Sequence, residues 1–206
     1  MTKRGKYDRA QTAAERQSER IERVLDAATE VFAARGYINT RVDDLVEAAG
    51  ISRRTLYEDF ESVEAVLNAV YERAVRINFT TIFQKLVAIA DPIERVRVGV
   101  AAYFEMIAEN PAAARVVFEE YRQAGAEQAA RYELNTSRYV TLMLEFLNAA
   151  YAAGRLGRAP DEASVYTLIK GIDALALRAV HRKELEQLPA LAPATANLVI
   201  DAFRGD

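Results

Sequence analysis

The residues best suited to chemistry lie together in the segment 50–55, GISRRT. Arginine can donate two hydrogen bonds to O6 and N7 of guanine, and threonine can contact a phosphate or the methyl group of thymine. Gly50 tolerates the positive φ that a tight turn between two helices requires, and Ser52 can cap the helix that follows. This spacing is typical of a helix-turn-helix, whose second helix places its N-terminal residues at base edges in the major groove. The segment predicts a DNA-reading helix that begins at Arg53, although two arginines after a cap also fit an ordinary solvated helix start.

The charge of the chain is distributed unevenly. The 206 residues include 27 Lys and Arg and 30 Asp and Glu, for a formal net charge of -3. Any affinity for nucleic acid must therefore come from a local arrangement of basic groups. Residues 1–20 hold six basic and three acidic side chains. We expect a basic arm over residues 1–19 that contacts the DNA backbone; a solvated tail is the alternative.

The residue inventory excludes several kinds of catalytic and metal site. The chain has no cysteine, so it has no thiol nucleophile, no disulfide and no thiolate zinc site. Its one histidine, His181, cannot supply the several imidazoles of a catalytic zinc site. No apolar run approaches the roughly 18 to 20 residues that span a bilayer, and the basic N-terminus is followed by no apolar core of a signal peptide. We expect a cytoplasmic protein with no catalytic residues, no metal and no cofactor.

The hydrophobic pattern predicts an all-α protein of about nine helices. Apolar residues between Ile21 and Phe32 recur at helical spacing, and Gly36 is placed to end that helix. Thr40, followed by Asp43 three residues later, predicts the N-cap of a second helix. Further helices are expected from Ser52, from Ser62 to about Leu86, and after Asp91-Pro92, Asn110-Pro111, Gly125, Pro160-Asp161 and Pro189 or Pro193. The boundaries expected are 1–19 for the arm, 20–66 for a helix-turn-helix domain of three helices, and 67–206 for a larger helical domain.

Several ordered motifs within residues 20–71 carry a family resemblance. They are the AA-x₃-F-x₃-GY run from Ala27 to Tyr37, then Thr40, then Val42-x-Asp44-Leu45, and finally Ala49-Gly50-Ile51-Ser52-x-x-Thr55-Leu56-Tyr57-x-x-Phe60. Together they resemble the N-terminal DNA-binding domain of the tetracycline-repressor-like (TetR) family. The resemblance covers about a quarter of the chain, and the remainder is similar only in its helical character, length and helix count.

The resemblance implies a homodimeric transcription factor, usually a repressor, that binds a double-stranded DNA operator and no membrane. A divergent C-terminal domain would dimerise and bind a small-molecule effector. The DNA contacts carried over from the family fall on seven residues: Thr40, Arg41, Ser52, Arg53, Arg54, Thr55 and Tyr57.

The chain departs from the family pattern near the end of the recognition helix. Glu58 and Asp59 stand where a basic residue or histidine is common, and Glu61 stands where proline is common. Val63 replaces a lysine that often touches phosphate at the start of the fourth helix. Each phosphate contact that is lost reduces the slope of log binding constant against log salt concentration by about 0.9. These departures predict a weaker electrostatic contribution to DNA binding.

The helices after residue 90 are rich in aromatic residues, which predicts either an ordinary core or a ligand cavity. Tyrosine hydroxyls in a helical domain must reach the surface or a polar-lined cavity. The candidate effector-binding residues are Tyr103, Tyr139, Asn148 and Tyr166. Because no basic cluster marks these helices, we expect a neutral or weakly polar effector that is partly aromatic or lipophilic.

The last two long helices carry apolar and small residues that predict a dimer interface. Two such faces from two subunits can form a four-helix interface around a twofold axis, whereas packing within one chain is the alternative. The residues of these faces are Leu168, Ile172, Leu175 and Ala179, and then Leu198, Val199, Ala202 and Phe203.

Two other function classes compete with a ligand-responsive regulator. An enzyme built on a helical bundle is disfavoured by the absence of thiols, by the single histidine and by the lack of paired Glu-x-x-His motifs. A helical adaptor with weakened DNA binding is the alternative that Glu58, Asp59 and Val63 allow.

Overall fold

A computed structural model describes residues 12–205, and in this part of the chain all regular structure is helical. The all-α prediction and the number of helices are confirmed for the described residues. The helices are α1 (Ala13–Arg35), α2 (Val42–Ala49), α3 (Arg53–Asp59), α4 (Val63–Leu86), α5 (Pro92–Glu109), α6 (Pro111–Arg115), α7 (Ala126–Ala152), α8 (Glu162–Arg182) and α9 (Leu188–Asp201).

Most helix ends follow from local sequence. Gly50 closes α2 in the left-handed conformation, with φ 64° and ψ 40°, where a residue without Cβ is least strained. The Ser52 and Ser62 hydroxyls accept hydrogen bonds from the backbone N–H groups of the first turns of α3 and α4. Asp91 caps α5, with Pro92 in the first turn.

The first helix begins earlier in the structure than the sequence predicted. Helix α1 begins at Ala13 and has a capping box between Thr12 and Glu15, so it includes the second half of the expected basic arm. The arm residues Lys3, Arg4, Lys6 and Arg9 lie outside the described residues.

The expected N-cap at Thr40 is wrong, because Arg41 precedes the first helical residue of α2. The Thr40 hydroxyl instead donates a hydrogen bond to the Gly36 carbonyl at 2.8 Å. The Asp44 carboxylate accepts a hydrogen bond from the Arg41 backbone N–H at 2.8 Å. The cap therefore lies one residue later than the Thr40 and Asp43 spacing predicted.

The first four helices enclose a small apolar core that fixes the orientation of α3. Phe32 of α1 has no exposed surface, and Leu45 of α2 and Leu56 of α3 are each 1% exposed. Val66 and Leu67 complete this core from the N-terminal half of α4. Helix α4 then continues into the larger domain, where it packs against α5.

The larger domain packs α5 against α4, α7 and α9, and packs α7 against α8. Between α6 and α7 the chain forms a π-helical turn, Val116–Tyr121, that contacts α1 and α4 of the N-terminal domain as well as α8. π-helical turns are rare and often occur at functional sites. Over residues 12–205, no helix combines the length and apolar character needed to cross a membrane.

Candidate DNA-binding and effector sites

Helix α3 is held by a tight turn that leaves its N-terminus exposed. The backbone N–H of Ile51 donates to the Val46 carbonyl at 3.0 Å, which closes the turn after α2. The Ser52 hydroxyl oxygen accepts from the Thr55 backbone N–H at 3.1 Å and lies 2.8 Å from the Thr55 hydroxyl. Leu56 anchors the opposite face of α3 in the core. This arrangement presents the first turn of the helix to solvent on a rigid support.

The two arginines at the start of α3 are exposed and carry different partners. The Arg54 side chain is 92% exposed, and its Nε lies 3.6 Å from the Glu58 carboxylate one turn later. The Arg53 Nε donates to the Asp43 carboxylate of α2 at 2.6 Å. This hydrogen bond lowers the pKa of Asp43 and raises the pKa of Arg53. Each guanidinium group can exchange its exposed carboxylate partner for a nucleic-acid acceptor.

Of the other expected DNA contacts, the structure exposes some and buries one. Tyr57 is 54% exposed and lies about one turn after Arg53 and Arg54 on α3. Arg41 is exposed at the start of α2. Thr40 is only 8% exposed and its hydroxyl is bonded to the Gly36 carbonyl. This side chain therefore supports the turn before α2, and the contact of Thr40 with the DNA backbone stays a prediction.

The acidic residues after the recognition helix have separate roles. Glu58 is exposed beside Arg54. The Asp59 side chain is fully inaccessible and accepts hydrogen bonds from Arg20 Nε at 2.7 Å and from Gln17 Nε2 at 2.9 Å. The hydrogen bond from Arg20 holds the pKa of Asp59 below its usual value. Asp59 thus ties the end of α3 to α1, so its carboxylate has a structural role in the fold.

A second basic residue fastens α4 to α1. Arg73 of α4 is only 13% exposed, and its guanidinium contacts the carboxylates of Asp26 at 2.7 Å and Glu22 at 3.1 Å. It also lies 3.3 Å from the Thr29 hydroxyl. A partly buried arginine with several acceptors joins two helices more firmly than an exposed pair. The direction of α4 is therefore fixed relative to the helix-turn-helix.

Two adjoining cavities lie in the larger domain and share a wall. The first has a volume of about 50 Å³ and is lined by apolar side chains of α4, α5, α7 and α8, such as Ile82, Val100 and Phe146. The second has a volume of about 110 Å³ and is bounded by α4, α5, α6, the π-helical turn, α7 and α8. The shared wall consists of Tyr103, Tyr139 and Asp173. Small-molecule sites have this form, an apolar cavity with a few convergent polar groups.

Asp173 of α8 is the polar centre of that wall. Its two carboxylate oxygens accept hydrogen bonds from the hydroxyls of Tyr103 and Tyr132, each at 3.0 Å. Burial raises the pKa of Asp173, since it disfavours the charged carboxylate. Burial and the negative charge of Asp173 likewise raise the pKa of Tyr103. The three residues join α5, α7 and α8 at the cavity.

The structure brings together only two of the four expected effector residues. Tyr103 and Tyr139 line both cavities, with ring centroids 5.6 Å apart. Asn148 is exposed on α7, and Tyr166 is 38% exposed on α8, so neither lines the cavities. The aromatic pattern correctly indicated the inward tyrosines, but spacing alone did not separate the inner faces of α7 and α8 from their outer faces.

Sequence reasoning missed Asp173 and Tyr132. Asp173 follows Ile172 on the buried side of α8, and a lone acid beside Ile169, Ile172 and Ala176 was the available signal. Its importance depends on hydroxyls from two other helices, which no local pattern shows.

The faces expected to form a dimer interface divide into buried and exposed parts. Four of the eight residues pack within the chain: Ile172, Ala179, Val199 and Phe203 are all 8% exposed or less. Leu198 is 63% exposed, Ala202 is exposed, and Leu168 and Leu175 are half-buried. The expectation for the first four is thus corrected, since they form the core between α8, α9 and their neighbours.

The sequence and the structure are both similar to known bacterial regulators. Residues 24–70 match the family model for bacterial regulatory proteins of the tetR family, and residues 89–174 match the model for tetracyclin repressor-like C-terminal domains. The transcriptional regulator Rv1255c of Mycobacterium tuberculosis is 33% identical over 128 residues, which is 62% of this chain and 61% of the relative. The alignment thus spans about three fifths of that relative's length.

Solved structures share the fold. The fatty acid degradation regulator FadR from Bacillus halodurans superposes with a TM-score of 0.82 at 22% identity, covering 91% of this chain and 97% of that one. FadR from Bacillus subtilis in complex with stearoyl-CoA gives a TM-score of 0.80 at 21% identity, covering 88% and 98%.

The helix-turn-helix and the helical second domain match the two family models of one class of bacterial regulatory proteins. The chain belongs to the TetR family.

Proposed function

We propose that this chain is a ligand-responsive transcriptional repressor that acts as a homodimer in the cytoplasm. Each subunit inserts α3 into the major groove of an operator, and a small, largely apolar effector bound in the adjoining cavities releases the protein. The observation that carries the DNA-binding half is the exposed row of Arg53, Arg54 and Tyr57 on a helix whose other face is locked in a core. Side chains of these types at the N-terminus of the second helix are those that read base edges.

Continuity of α4 supports coupling between the two sites. Its N-terminal half contributes Val66 and Leu67 to the core beneath α3, and its C-terminal half contributes Ile82 and Leu86 to the apolar cavity. Phe79, between them, stacks on Tyr139 of the cavity wall with centroids 4.5 Å apart. An effector that moves Tyr139 displaces α4. The recognition helices of a dimer then no longer match successive major grooves, about 34 to 36 Å apart.

The apolar lining supports a lipophilic effector. The FadR structure from Bacillus subtilis, which has the same fold, was solved with stearoyl-CoA. For this chain we propose an effector with an apolar body, because the first cavity is lined almost entirely by hydrocarbon. The sign of regulation, repression, belongs to the proposal as well, since the related FasR of Mycolicibacterium smegmatis is named an activator.

A substitution that occupies the cavity tests this mechanism without a known ligand. Ala113 lines the larger cavity, and Ala129 is exposed on α7. We expect Ala113→Phe to weaken operator binding by about tenfold, a typical allosteric coupling, while Ala129→Phe leaves it unchanged. Gel shifts on DNA from upstream of the protein's own gene measure both, and circular dichroism checks that both variants are folded. Full operator affinity in a folded Ala113→Phe variant would contradict release through this cavity.

A further inference from the structure

The two cavities differ in chemistry on either side of their shared wall. The smaller chamber is apolar, whereas the larger one also contains the side chains of Asn78, Asn110, Asn135 and Thr136. Asp173 faces both chambers from the wall. An amphiphilic molecule fits this arrangement, with its hydrocarbon body on one side of Asp173 and its polar head on the other.

Two amide oxygens of residues that line the polar chamber have no hydrogen-bond partner within the described part of the chain. The Oδ1 atoms of Asn78 and Asn135 are buried, and neither has a hydrogen-bond partner among residues 12–205. Buried polar atoms of folded proteins are nearly always hydrogen-bonded, so unpaired ones require an explanation. Two unpaired acceptors beside a carboxylate indicate a ligand that donates hydrogen bonds.

Among residues 12–205 the Asp173 carboxylate forms no direct ion pair, although the charges of Lys170 and Arg122 act on it from a distance. Its hydrogen-bond donors are the neutral hydroxyls of Tyr103 and Tyr132. The nearest cations, Lys170 and Arg122, contact the Tyr132 ring, with their charged groups 5.6 and 4.9 Å from its centroid. Enclosing a carboxylate without a directly paired cation is costly, and a cation in the cavity would recover part of that cost.

The aromatic rings of the wall favour the same kind of ligand. Tyr103 and Tyr139 meet edge to face at 5.6 Å, and both line the two chambers beside Asp173. Ring faces attract cations through their quadrupole, and aromatic groups with a nearby carboxylate are a recurrent way of binding ammonium ions. At the far end, Arg95 donates to the Ile89 carbonyl at 2.7 Å and lies over the Phe146 ring, so it is already engaged.

We propose that the effector is an amphiphilic amine, whose protonated nitrogen binds Asp173 and the Asn78 and Asn135 oxygens while its hydrocarbon body fills the apolar chamber. This inference rests on the proposed function, in which these cavities form the effector site. Carboxylates and phosphates are excluded from the polar chamber, because the negative charge of Asp173 would repel them. Arg95, which lines the apolar chamber, already donates to the Ile89 carbonyl and so is not a free cation for an anionic ligand.

Three probes with the same hydrocarbon chain test the head group: n-octylamine, octanol and sodium octanoate. Calorimetry with the full chain at neutral pH should show octylamine binding at least about tenfold more tightly than octanol, and octanoate most weakly. Asp173→Asn should weaken octylamine binding by about tenfold or more and change octanol binding by less than about threefold. Asp201→Asn, which removes the same charge from the exposed end of α9, should change neither.

The comparison on the unmodified protein keeps the proposal falsifiable even if Asp173→Asn does not fold. Octanoate binding as tightly as octylamine, or no octylamine binding, overturns it. Operator affinity is measured on the same samples, so the two proposals fail separately. Octylamine that binds selectively but leaves operator affinity unchanged contradicts the regulatory mechanism and supports the head-group selectivity.

Discussion

The Glu120 carboxylate accepts a hydrogen bond from the Tyr37 backbone N–H at 2.7 Å and so joins the two domains across 83 positions of sequence. Glu120 lies in the π-helical turn, and its neighbours Val117 and Phe118 line the larger cavity. Tyr37 begins the short 3₁₀ turn that leads from α1 toward α2. Two connections therefore link the cavity wall to the helix-turn-helix. One is helix α4, and the other is this charge-assisted hydrogen bond.

Removal of that acceptor should loosen the turn before α2. Glu120→Ala leaves the Tyr37 N–H without its carboxylate partner, and a part-buried unpaired donor costs about 1 to 3 kcal/mol. We expect faster amide hydrogen exchange over residues 36–40. Glu120→Gln retains a side-chain oxygen and serves as the control, with exchange close to that of the unmodified protein. Equal exchange in both variants and the parent would show that the contact does not hold the turn.

Arg54→Ala should weaken specific operator binding by about 1 to 3 kcal/mol and relax the preference at one base position in each half-site. The reason is the 92% exposure of the Arg54 side chain and its weakly held partner Glu58. Anisotropy titrations on operators changed one base pair at a time measure the effect. Arg76→Ala, an exposed arginine of α4 away from α3, is the control. An equal loss on all sequences would make Arg54 a phosphate contact instead.

Asp59 should make folding stability depend on pH in the acid range. Because the hydrogen bond from Arg20 lowers its folded pKa, the stabilisation is complete above the unfolded value of about 3.9 and is lost as pH falls through the folded pKa. Urea unfolding should therefore show Asp59→Asn as less stable than the parent at neutral pH, with the difference shrinking on acidification below about pH 4. Asp201→Asn, at an exposed site, is the control. A constant difference at all pH values would contradict this assignment.

Leu198→Glu should dissociate the proposed homodimer without unfolding the chain. Leu198 is 63% exposed on α9, and a carboxylate buried on both sides of a twofold interface is unfavourable. Leu134→Glu is a matched control, since Leu134 is 61% exposed on α7. Analytical ultracentrifugation should give monomers for the first variant and dimers for the second. Dimers in both would place the interface elsewhere.

Features set by neighbouring residues were predictable from sequence, and those set by distant ones were not. Gly50 and Ser52 determine their turn locally, so the start of the recognition helix was found to the residue. Asp59 fastens α3 to α1 through Arg20, 39 positions earlier, a contact that its charge alone did not indicate; its effect on DNA binding stays a prediction. Asp173 gains its partners from positions 70 and 41 residues away on other helices. Helical periodicity gives no information about which helices meet.

Sequence-specific DNA reading by α3 underlies the proposed function, and competition binding measures it directly. The full chain is titrated against labelled DNA from immediately upstream of its own gene, in the presence of unlabelled specific or unrelated DNA of equal length. Specific regulators prefer their sites by at least about 10³-fold at physiological salt, and we expect a preference of that order that is lost in an Arg53→Ala, Arg54→Ala double variant. Equal competition by both DNAs, unchanged in the double variant, would contradict DNA reading by α3 and favour a helical adaptor.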